Sequence, residues 1–288
     1  MTIEWMLKEA LREGVLRESE SKNDYKRSTY ENKKQDWKGK PLHGRFFDEV
    51  KDIADPESWR WLRNGFLKKE TEGMVLAAQE QALRTNSIKC KIDKTINSDN
   101  CRLCGKPSES VRHITSGCTK LAQSSYKQRH DKVAIKVHWE LCKKFKIECS
   151  DKWYNHKPLT TTENEEVKIM WDMTVFTDRR LPHNRPDITV VDKQKKSWTL
   201  IDIAVPADQN VATTEIWKIE KYQDLAFEIE RIHKVSVKIV PVVVGCLGTI
   251  SKNFLRYHQS LGVPNIIGSV QIAALLESMH ILRKVLRL

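Results

Sequence analysis

The stretch Asn184–Asp208 constrains the fold of this chain most strongly, because it combines a β-hairpin pattern with two aspartates at defined positions. Two short apolar runs, Ile188–Val191 and Trp198–Val205, flank a polar, lysine-rich turn, as in two antiparallel strands joined by a turn. Asp187 precedes the first predicted strand, and Asp202 lies inside the second, with 14 residues between them. The hairpin is therefore expected to bring two carboxylates towards each other.

The second predicted strand places Asp202 among β-branched residues. Alternate side chains of a strand share a face, so Leu200, Asp202 and Ala204 are expected on one face and Ile201, Ile203 and Val205 on the other. A buried aspartate is costly unless it is paired or binds a cation. Two neighbouring carboxylates suit a hard cation such as Mg²⁺, which can polarise a phosphate and activate water. A buried aspartate that is satisfied by backbone groups or by an arginine explains the pattern equally well.

The residues around these aspartates carry a family resemblance. His-Asn-Arg-Pro-Asp at 183–187, followed by Asp202 on the next strand, resembles the PD-(D/E)XK nuclease core of restriction endonucleases and Holliday-junction resolvases. More narrowly, it is similar to the restriction-like endonuclease at the C-terminus of certain site-specific non-LTR retrotransposon polyproteins. The resemblance implies an α/β fold, with a mixed sheet flanked by helices and a β-β-β-α-β order that ends in a strand over 235–245. One departure is Ala204, where the general family has lysine.

A lysine from the following helix is a known variation in this superfamily, and the chain offers two. The pattern predicts a helix from Thr213 or Thr214 to about His233, with an apolar face formed by Ile216, Ile219, Tyr222, Ala226 and Ile229. Lys218 lies at the border of that face, roughly 80° from its centre, and Lys221 lies beyond it on the opposite side. We therefore expect Lys218, with Tyr222 one turn on, to orient the attacking water or to neutralise phosphate charge. A solvated surface lysine fits the pattern as well.

Further candidate residues lie before the hairpin. The turn before Asp187 is basic, with Arg179, Arg180, His183 and Arg185. The arginines are candidate nucleic-acid contacts; His183 is a candidate general acid or phosphate contact, or simply an exposed turn residue. A strand pattern within 163–177 follows Glu165 and Glu166, either of which is a candidate additional acid by analogy with the superfamily.

A second site is predicted from cysteine spacing. Its four candidate ligands, separated by two, eight and four residues, are Cys101, Cys104, His113 and Cys118. Zn²⁺ takes four thiolate or imidazole ligands in a tetrahedron, and a two-residue gap allows a tight turn to present two thiolates. Gly105 supplies the residue at which that turn closes. Chance cysteines near a histidine are the alternative. The other cysteines, Cys90, Cys142, Cys149 and Cys246, are predicted to be core or bystander thiols, and His138 a histidine without a ligand partner.

The ligand order resembles a zinc knuckle with a longer second gap than the retroviral kind. A knuckle upstream of a PD-(D/E)XK core is the arrangement in those retrotransposon polyproteins, so the resemblance implies structural Zn²⁺ besides catalytic Mg²⁺ or Mn²⁺. Basic residues decorate this loop as candidate phosphate contacts: Arg102, Lys106, Arg112 and Lys120.

Composition and net charge indicate the class of binding partner and the cellular compartment. The 288-residue chain has a net charge of +12 and a pI of about 9.3, which favours a polyanionic partner. No segment has 18 consecutive apolar residues, so no membrane span is predicted; the N-terminus lacks a signal-peptide pattern. Seven cysteines, three of them within Cys101–Cys118, indicate a reducing compartment and metal binding rather than disulfides.

Four regions are predicted. Residues 1–40 form an N-terminal helix (2–16) and a flexible basic linker, 41–98 are helical, 99–160 hold the knuckle and a following helix, and 161–288 form the endonuclease domain. The last predicted helices are near Ile250–Leu261 and over Val270–Leu286; the second is amphipathic and is expected to dock on the core or on a partner.

We therefore expect a metal-dependent DNA endonuclease. In the family it resembles, such a domain nicks chromosomal DNA so that a linked reverse transcriptase can prime from the exposed 3′-hydroxyl. That implies a nuclear location, DNA as the partner with the element's RNA left open, and a reverse transcriptase outside this chain, which has no Tyr-x-Asp-Asp motif. Two alternatives remain: a catalytically inactive DNA- or RNA-binding protein derived from such an element, and an RNA-binding knuckle module with a structural α/β partner.

Overall fold

The N-terminal part of the chain is helical where a flexible linker is predicted. The computed structural model describes residues 22–40, 42–263 and 266–288, so the predicted helix 2–16 lies outside the described residues. Helix α1 (Lys22–Lys38) occupies most of the predicted linker. That segment contains neither glycine nor proline, and Lys34 pairs with Glu31 one turn earlier at 3.4 Å. High charge without a helix breaker is thus compatible with a solvated helix.

The chain divides into two compact units between Asp48 and Glu49. The remaining α-helices are, in chain order, α2 (Arg45–Val50), α3 (Arg60–Arg63), α4 (Lys69–Gln79), α5 (Asn86–Lys91), α6 (Thr119–Leu121), α7 (Lys127–Lys144), α8 (Val211–Lys221), α9 (Gln223–His233), α10 (Phe254–Gln259) and α11 (Ile266–Leu286). A short 3₁₀ helix, Pro56–Trp59, leads into α3, and a local signal explains its start: the Asp55 side chain accepts a hydrogen bond from the Glu57 amide, with proline between them.

The second unit is an α/β structure with a five-stranded mixed sheet. Its strands are β1 (Thr161–Glu163), β2 (Val167–Trp171), β3 (Ile188–Asp192), β4 (Ser197–Ala204) and β5 (Ser236–Val243), in that spatial order. The pairs β1–β2, β2–β3 and β3–β4 are antiparallel, and β5 is parallel to β4. A parallel pair requires a long crossover connection, which α8 and α9 provide. The predicted α/β class is confirmed.

The predicted hairpin agrees with β3 and β4 to within one residue at each end. The preceding strand is shorter than the alternation within 163–177 predicts, because it ends at Trp171. The next residue, Asp172, has φ of +47°, a left-handed conformation that breaks an extended strand. The single helix predicted up to His233 is also interrupted, at Tyr222 between α8 and α9.

The two faces of β4 belong to two different cores, as the alternation predicts. Ile201 and Ile203 pack in the main core with residues of α7 and α11. Leu200 packs instead with Tyr222 and with residues of α9. Asp202 shares the Leu200 face, so its carboxylate is directed towards the α8–α9 side of the sheet.

Helix α11 is a core helix. Its length and composition would allow a membrane span, but 67% of its most apolar stretch is buried inside the protein. It packs against α7 and α4. Of the two roles left open for this helix, docking on the core is the one that the structure shows.

Candidate active site and candidate metal centre

The hairpin register places the backbones of the two predicted aspartates opposite each other. Ile188 pairs with Ile201, so one further step along the antiparallel ladder sets Asp187 against Asp202. The backbone holds Asp187 from two directions: its carbonyl accepts a hydrogen bond from the Asp172 amide at 2.8 Å. Its carboxylate Oδ2 accepts another from the Ile203 amide at 2.6 Å. Asp187 is thereby fixed at the sheet end where β2 stops and β3 starts.

Asp202 is buried, and its carboxylate contacts three polar side chains, two from α8 and one from the residue that follows it. Its residue exposure is 2%. The Tyr222 hydroxyl donates a hydrogen bond to Oδ1 at 2.6 Å, Lys221 Nζ lies 3.4 Å from the same oxygen, and Lys218 Nζ contacts Oδ2. Two ammonium groups therefore balance one buried carboxylate. Burial and the neighbouring Asp202 charge raise the pKa of Tyr222, so its hydroxyl remains a donor.

The structure brings both candidate lysines to Asp202, so the expected position of Lys221 on the opposite side of the helix is wrong. The predicted apolar face is only partly the buried face, since Tyr222 and Ile229 are buried but Ile216 is 56% exposed. The buried stripe of α8 contains Val211 and Glu215, which turns the helix so that both lysine side chains are largely buried, at 11% and 17% exposure.

Asp187 has a partner that the sequence did not reveal. His130 Nε2 lies 3.2 Å from Asp187 Oδ2, and His130 Nδ1 lies 3.0 Å from Asp131 Oδ1. Burial alone would lower the pKa of His130, but hydrogen bonds to Asp187 and Asp131 and their negative charges outweigh it and raise the pKa to about 9. Burial would raise the pKa of Asp187, but the hydrogen bond and charge of His130 and the Ile203 amide hold it below its usual value.

A cleft of about 580 Å³ opens onto Asp187. Its charged lining residues come from α7, the end of β2 and the turn before β3, and are Lys127, His130, Asp131, Asp172, Arg185 and Asp187. Arg185 pairs with Asp172 at 2.8 Å across the rim. The cleft combines cations that can contact a phosphate with carboxylates that can hold a divalent cation.

The donor set at the sheet end fits a hard cation. Among the described residues, the hydrogen bonds to the Asp187 side chain all go to Oδ2, which leaves Oδ1 for a ligand in the cleft. Asp202 provides the opposite carboxylate, with Lys218 now at the Oδ2 position that a cation would occupy. A hard cation that bound both carboxylates would have to replace the Lys218 ammonium at Oδ2.

The structure separates other predicted residues from this site. Glu165 and Glu166 lie at the far end of β2, where Val167 pairs with Asp192, roughly 16 Å along the strand from Trp171. The hypothesis that either supplies an additional acid is therefore wrong. Asp172 and Asp131, which were not singled out, are the further acids that line the cleft.

Only part of the basic turn before Asp187 contributes side chains to the cleft. His183 and Arg180 are exposed, and the imidazole that contacts Asp187 among the described residues is that of His130. Arg179 Nε pairs with the buried Glu228 at 2.9 Å. Within the cluster, Arg185 is the arginine that lines the cleft.

The four predicted zinc ligands lie together. The donor atoms of Cys101, Cys104, His113 and Cys118 are all within 4.8 Å of one another, so the group could hold a metal ion. The two sulfurs of Cys101 and Cys118 are 3.9 Å apart, and Cys104 Sγ is 3.3 Å from His113 Nε2. Ligands around tetrahedral Zn²⁺ would be separated by roughly 3.5 to 3.8 Å, so the four atoms are nearly in place.

Local geometry explains this arrangement. Gly105 has φ of +71°, and its amide donates to the Cys101 carbonyl at 2.8 Å, which closes the tight turn between the first two cysteines. His113 begins a π-helical segment that ends at Gly117, immediately before Cys118. The Tyr126 hydroxyl accepts a hydrogen bond from the Cys118 amide at 2.9 Å.

The arginines of this loop have structural partners. The Arg102 guanidinium donates to both oxygens of Glu109, at 2.9 and 2.7 Å, and to the Val285 carbonyl at 3.1 Å. Glu109 is fully buried. Arg102 therefore ties the loop to α11, and its role as a phosphate contact stays a prediction. Arg112 lies against the side-chain amide of Gln209, with 2.8 Å from Nε to the oxygen.

His138 lies against two further side chains that can ligate a metal. His138 Nδ1 lies 2.8 Å from His156 Nε2 and 3.5 Å from Cys142 Sγ. The expectation that His138 lacks a ligand partner is wrong, because α7 and the segment before β1 bring these side chains together, whereas Cys142 is a core thiol as predicted.

Sequence reasoning found the two aspartates and the lysines but missed His130, Asp131 and Asp172. His130 is 57 residues from its partner Asp187, and a helix histidine carries no spacing signal over that distance. No protein-family model matches the chain, and no curated protein sequence matches it.

Proposed function

We propose that this protein is a metal-dependent DNA endonuclease with a PD-(D/E)XK core and a structural zinc knuckle. The observation that carries the proposal is the juxtaposition of Asp187 and Asp202 across the hairpin, with Lys218 in contact with Asp202. The α-helical origin of that lysine compensates for Ala204. The resemblance stated above supplies the reaction class, phosphodiester hydrolysis.

Asp187 and Asp202 are the residues that would hold Mg²⁺ or Mn²⁺. When bound, that ion would polarise the scissile phosphate and lower the pKa of an attacking water. Lys218, released from Asp202, would be directed at the phosphate or at the water. Tyr222 keeps Asp202 in position through its hydrogen bond of 2.6 Å. His130 holds Asp187 and borders the cleft, where it can contact a phosphate oxygen.

The surface next to the site suits nucleic acid. Trp217 is 52% exposed, and its ring lies 5.3 Å from Lys218 Nζ. Phe176, in the loop before β3, is 84% exposed. Aromatic rings beside cations bind nucleic acid by stacking on bases while the cations contact phosphates. Together with the net charge of +12, this favours DNA as the partner, in the nucleus, with cleavage that primes a reverse transcriptase supplied outside this chain.

The test is nicking of supercoiled plasmid by the purified protein in Mg²⁺ or Mn²⁺. We expect Asp187→Asn and Asp202→Asn to bind DNA normally but to nick it on the order of a thousandfold more slowly. Asp192→Asn is the matched control, because Asp192 lies in the same hairpin at the far end of β3, and it should nick like the wild type. A folded wild-type protein that binds DNA without nicking it would remove the proposal.

The second candidate is a nucleic-acid-binding protein in which catalysis has been lost. It is favoured by the pairing of Asp202 with two lysines, which satisfies the carboxylate without any metal ion. The plasmid assay separates the two candidates, because the binding protein would retain DNA or RNA affinity and show no metal-dependent nicking.

A further inference from the structure

The strongest unassigned feature is a buried group of three metal-ligand side chains outside both sites described above. His138 and Cys142 are four residues apart on α7, so they share one face of the helix. His156 follows a short 3₁₀ turn, Trp153–Asn155, in the segment that leads to β1. His138 and Cys142 are fully buried, and His156 is 8% exposed.

The three donor atoms converge. His138 Nδ1, Cys142 Sγ and His156 Nε2 lie within 4.8 Å of one another. The separation of 3.5 Å between His138 Nδ1 and Cys142 Sγ matches the roughly 3.5 Å expected for nitrogen and sulfur on tetrahedral Zn²⁺. The two nitrogens are 2.8 Å apart, about 0.5 Å closer than two zinc-bound nitrogens would be. A small outward shift of one ring would complete the geometry.

We propose that His138, Cys142 and His156 form a second metal site, which takes a borderline cation of the Zn²⁺ class. Two imidazoles and one thiolate are ligands that this class of cation prefers over Mg²⁺ or Ca²⁺. Cys149 packs against the same core but is not among the three residues whose donor atoms converge.

A metal ion at this position would stabilise the wall of the cleft. It would tie α7 to the segment before β1. The ring of Trp171, which lines the cleft, packs edge-on against His138 with 5.6 Å between centroids. His130, the partner of Asp187, lies on α7 about two turns before His138. The site is therefore structural, and its ligands do not touch the reacting atoms.

The competing explanation is a hydrogen-bonded histidine pair beside a buried thiol. In that arrangement one imidazole donates to the other at 2.8 Å, and no cation is needed. It leaves His138 Nε2 buried without a hydrogen-bond partner among the described residues. A His138 ring that bound a metal ion through Nδ1 would leave Nε2 in the same state. Metal content separates the two explanations, whereas the hydrogen-bond pattern does not.

The experiment is zinc quantification by mass spectrometry on the purified full chain after removal of loosely bound ions. We expect two zinc ions per chain, and one after either Cys142→Ser or His156→Gln. Cys104→Ser should remove the other ion, and Cys90→Ser, which changes a cysteine outside both groups, should remove neither. Two ions that persist in folded His156→Gln, or a single ion that is lost with Cys104→Ser, would overturn the proposal.

Cobalt substitution of the wild-type chain keeps the test decisive if the variants fail to fold. Two Co²⁺ ions per chain are expected to give two distinct sets of visible absorption bands, from a three-thiolate and a thiolate-poor site. One set, saturated at one equivalent, would overturn the proposal. Neither readout depends on nicking, so failure of this site and failure of the endonuclease proposal are distinguishable.

Discussion

The cysteine–histidine cluster and the carboxylate cleft are built in opposite ways. The cluster draws its ligands from Cys101–Cys118, a single stretch of 18 residues whose spacing is visible in the sequence. The cleft draws residues from α7, the end of β2 and the turn before β3, and α8 reaches the neighbouring Asp202. The first site is a local motif placed within the fold, whereas the second exists only once the sheet and two helices have assembled.

This difference changes what each site contributes. The cluster turns its donor atoms inwards, with Cys101 and Cys118 at 2% and 1% exposure, so an ion there would have no access to a substrate. The cleft keeps Asp187 partly open, with its side chain 21% exposed, beside cations. We therefore expect substitutions in the cluster to act on stability and substitutions in the cleft to act on catalysis.

The largest expected effect comes from breaking the cluster. Cys101→Ser removes one ligand of a structural zinc site, and such sites contribute folding free energy directly. We expect loss of one zinc ion, a fall of roughly 10 °C in the melting temperature, and loss of nicking as the protein unfolds. Calorimetry and metal analysis on the same preparation provide the measurement. Cys90→Ser is the control; an unchanged melting temperature in Cys101→Ser would show that the cluster is not a structural metal site.

The same contrast explains how far the sequence could be interpreted. The four-residue ligand pattern predicted the cluster because each ligand is close in sequence to the next. The hairpin predicted Asp187 and Asp202 because period-two alternation and a turn fix strand register. His130 could not be found, since packing of α7 on the sheet creates its contact with Asp187. The position of Lys221 was predicted wrongly because α8 buries Glu215 rather than Ile216. Tertiary packing determines which face of this helix is buried.

A smaller effect on the protein is expected from His130→Gln. This variant tests whether a cleft residue acts on catalysis without acting on stability. The amide retains one hydrogen-bonding group but loses the charge that faces Asp187. We expect nicking to fall by about a hundredfold, with a melting temperature within a few degrees of the wild type. His280→Gln is the control, because that side chain is 64% exposed on α11. Equal losses of nicking and of stability would place His130 with the structural residues instead.

Substitutions of the two lysines that contact Asp202 are expected to change the nicking rate by smaller factors. Lys218 contacts Oδ2, whereas Lys221 lies 3.4 Å from Oδ1, which Tyr222 already occupies. We expect Lys218→Ala to slow nicking roughly thirtyfold and Lys221→Ala only about threefold. Single-turnover nicking with saturating protein measures both. The reverse order would assign the phosphate-directed role to Lys221 and would require Lys218 to be the residue that balances Asp202.

The smallest effect concerns Glu215, a buried carboxylate on the same helix whose hydrogen-bond partner among the described residues is the Ser251 hydroxyl. The Ser251 hydroxyl donates to it at 2.6 Å, and burial raises the pKa of Glu215 to about 7. Because the folded-state pKa is raised above the usual value of 4.5, its contribution to stability is present below pH 4.5 and is lost as the pH rises through 7.

Glu215→Gln removes that titration and tests whether α8 is held by packing or by charge. We expect the difference in unfolding free energy between variant and wild type to move by about 2 kcal/mol in favour of the variant between pH 4 and pH 8. Urea unfolding of both proteins at each pH measures it. Nicking at neutral pH should stay within about twofold of the wild type, because Glu215 faces Ser251 rather than the cleft. A difference in unfolding free energy that does not change with pH would mean that Glu215 is charged in the folded protein at neutral pH. A large loss of nicking in Glu215→Gln would mean that catalysis depends on the position of α8 as well as on Asp187 and Asp202.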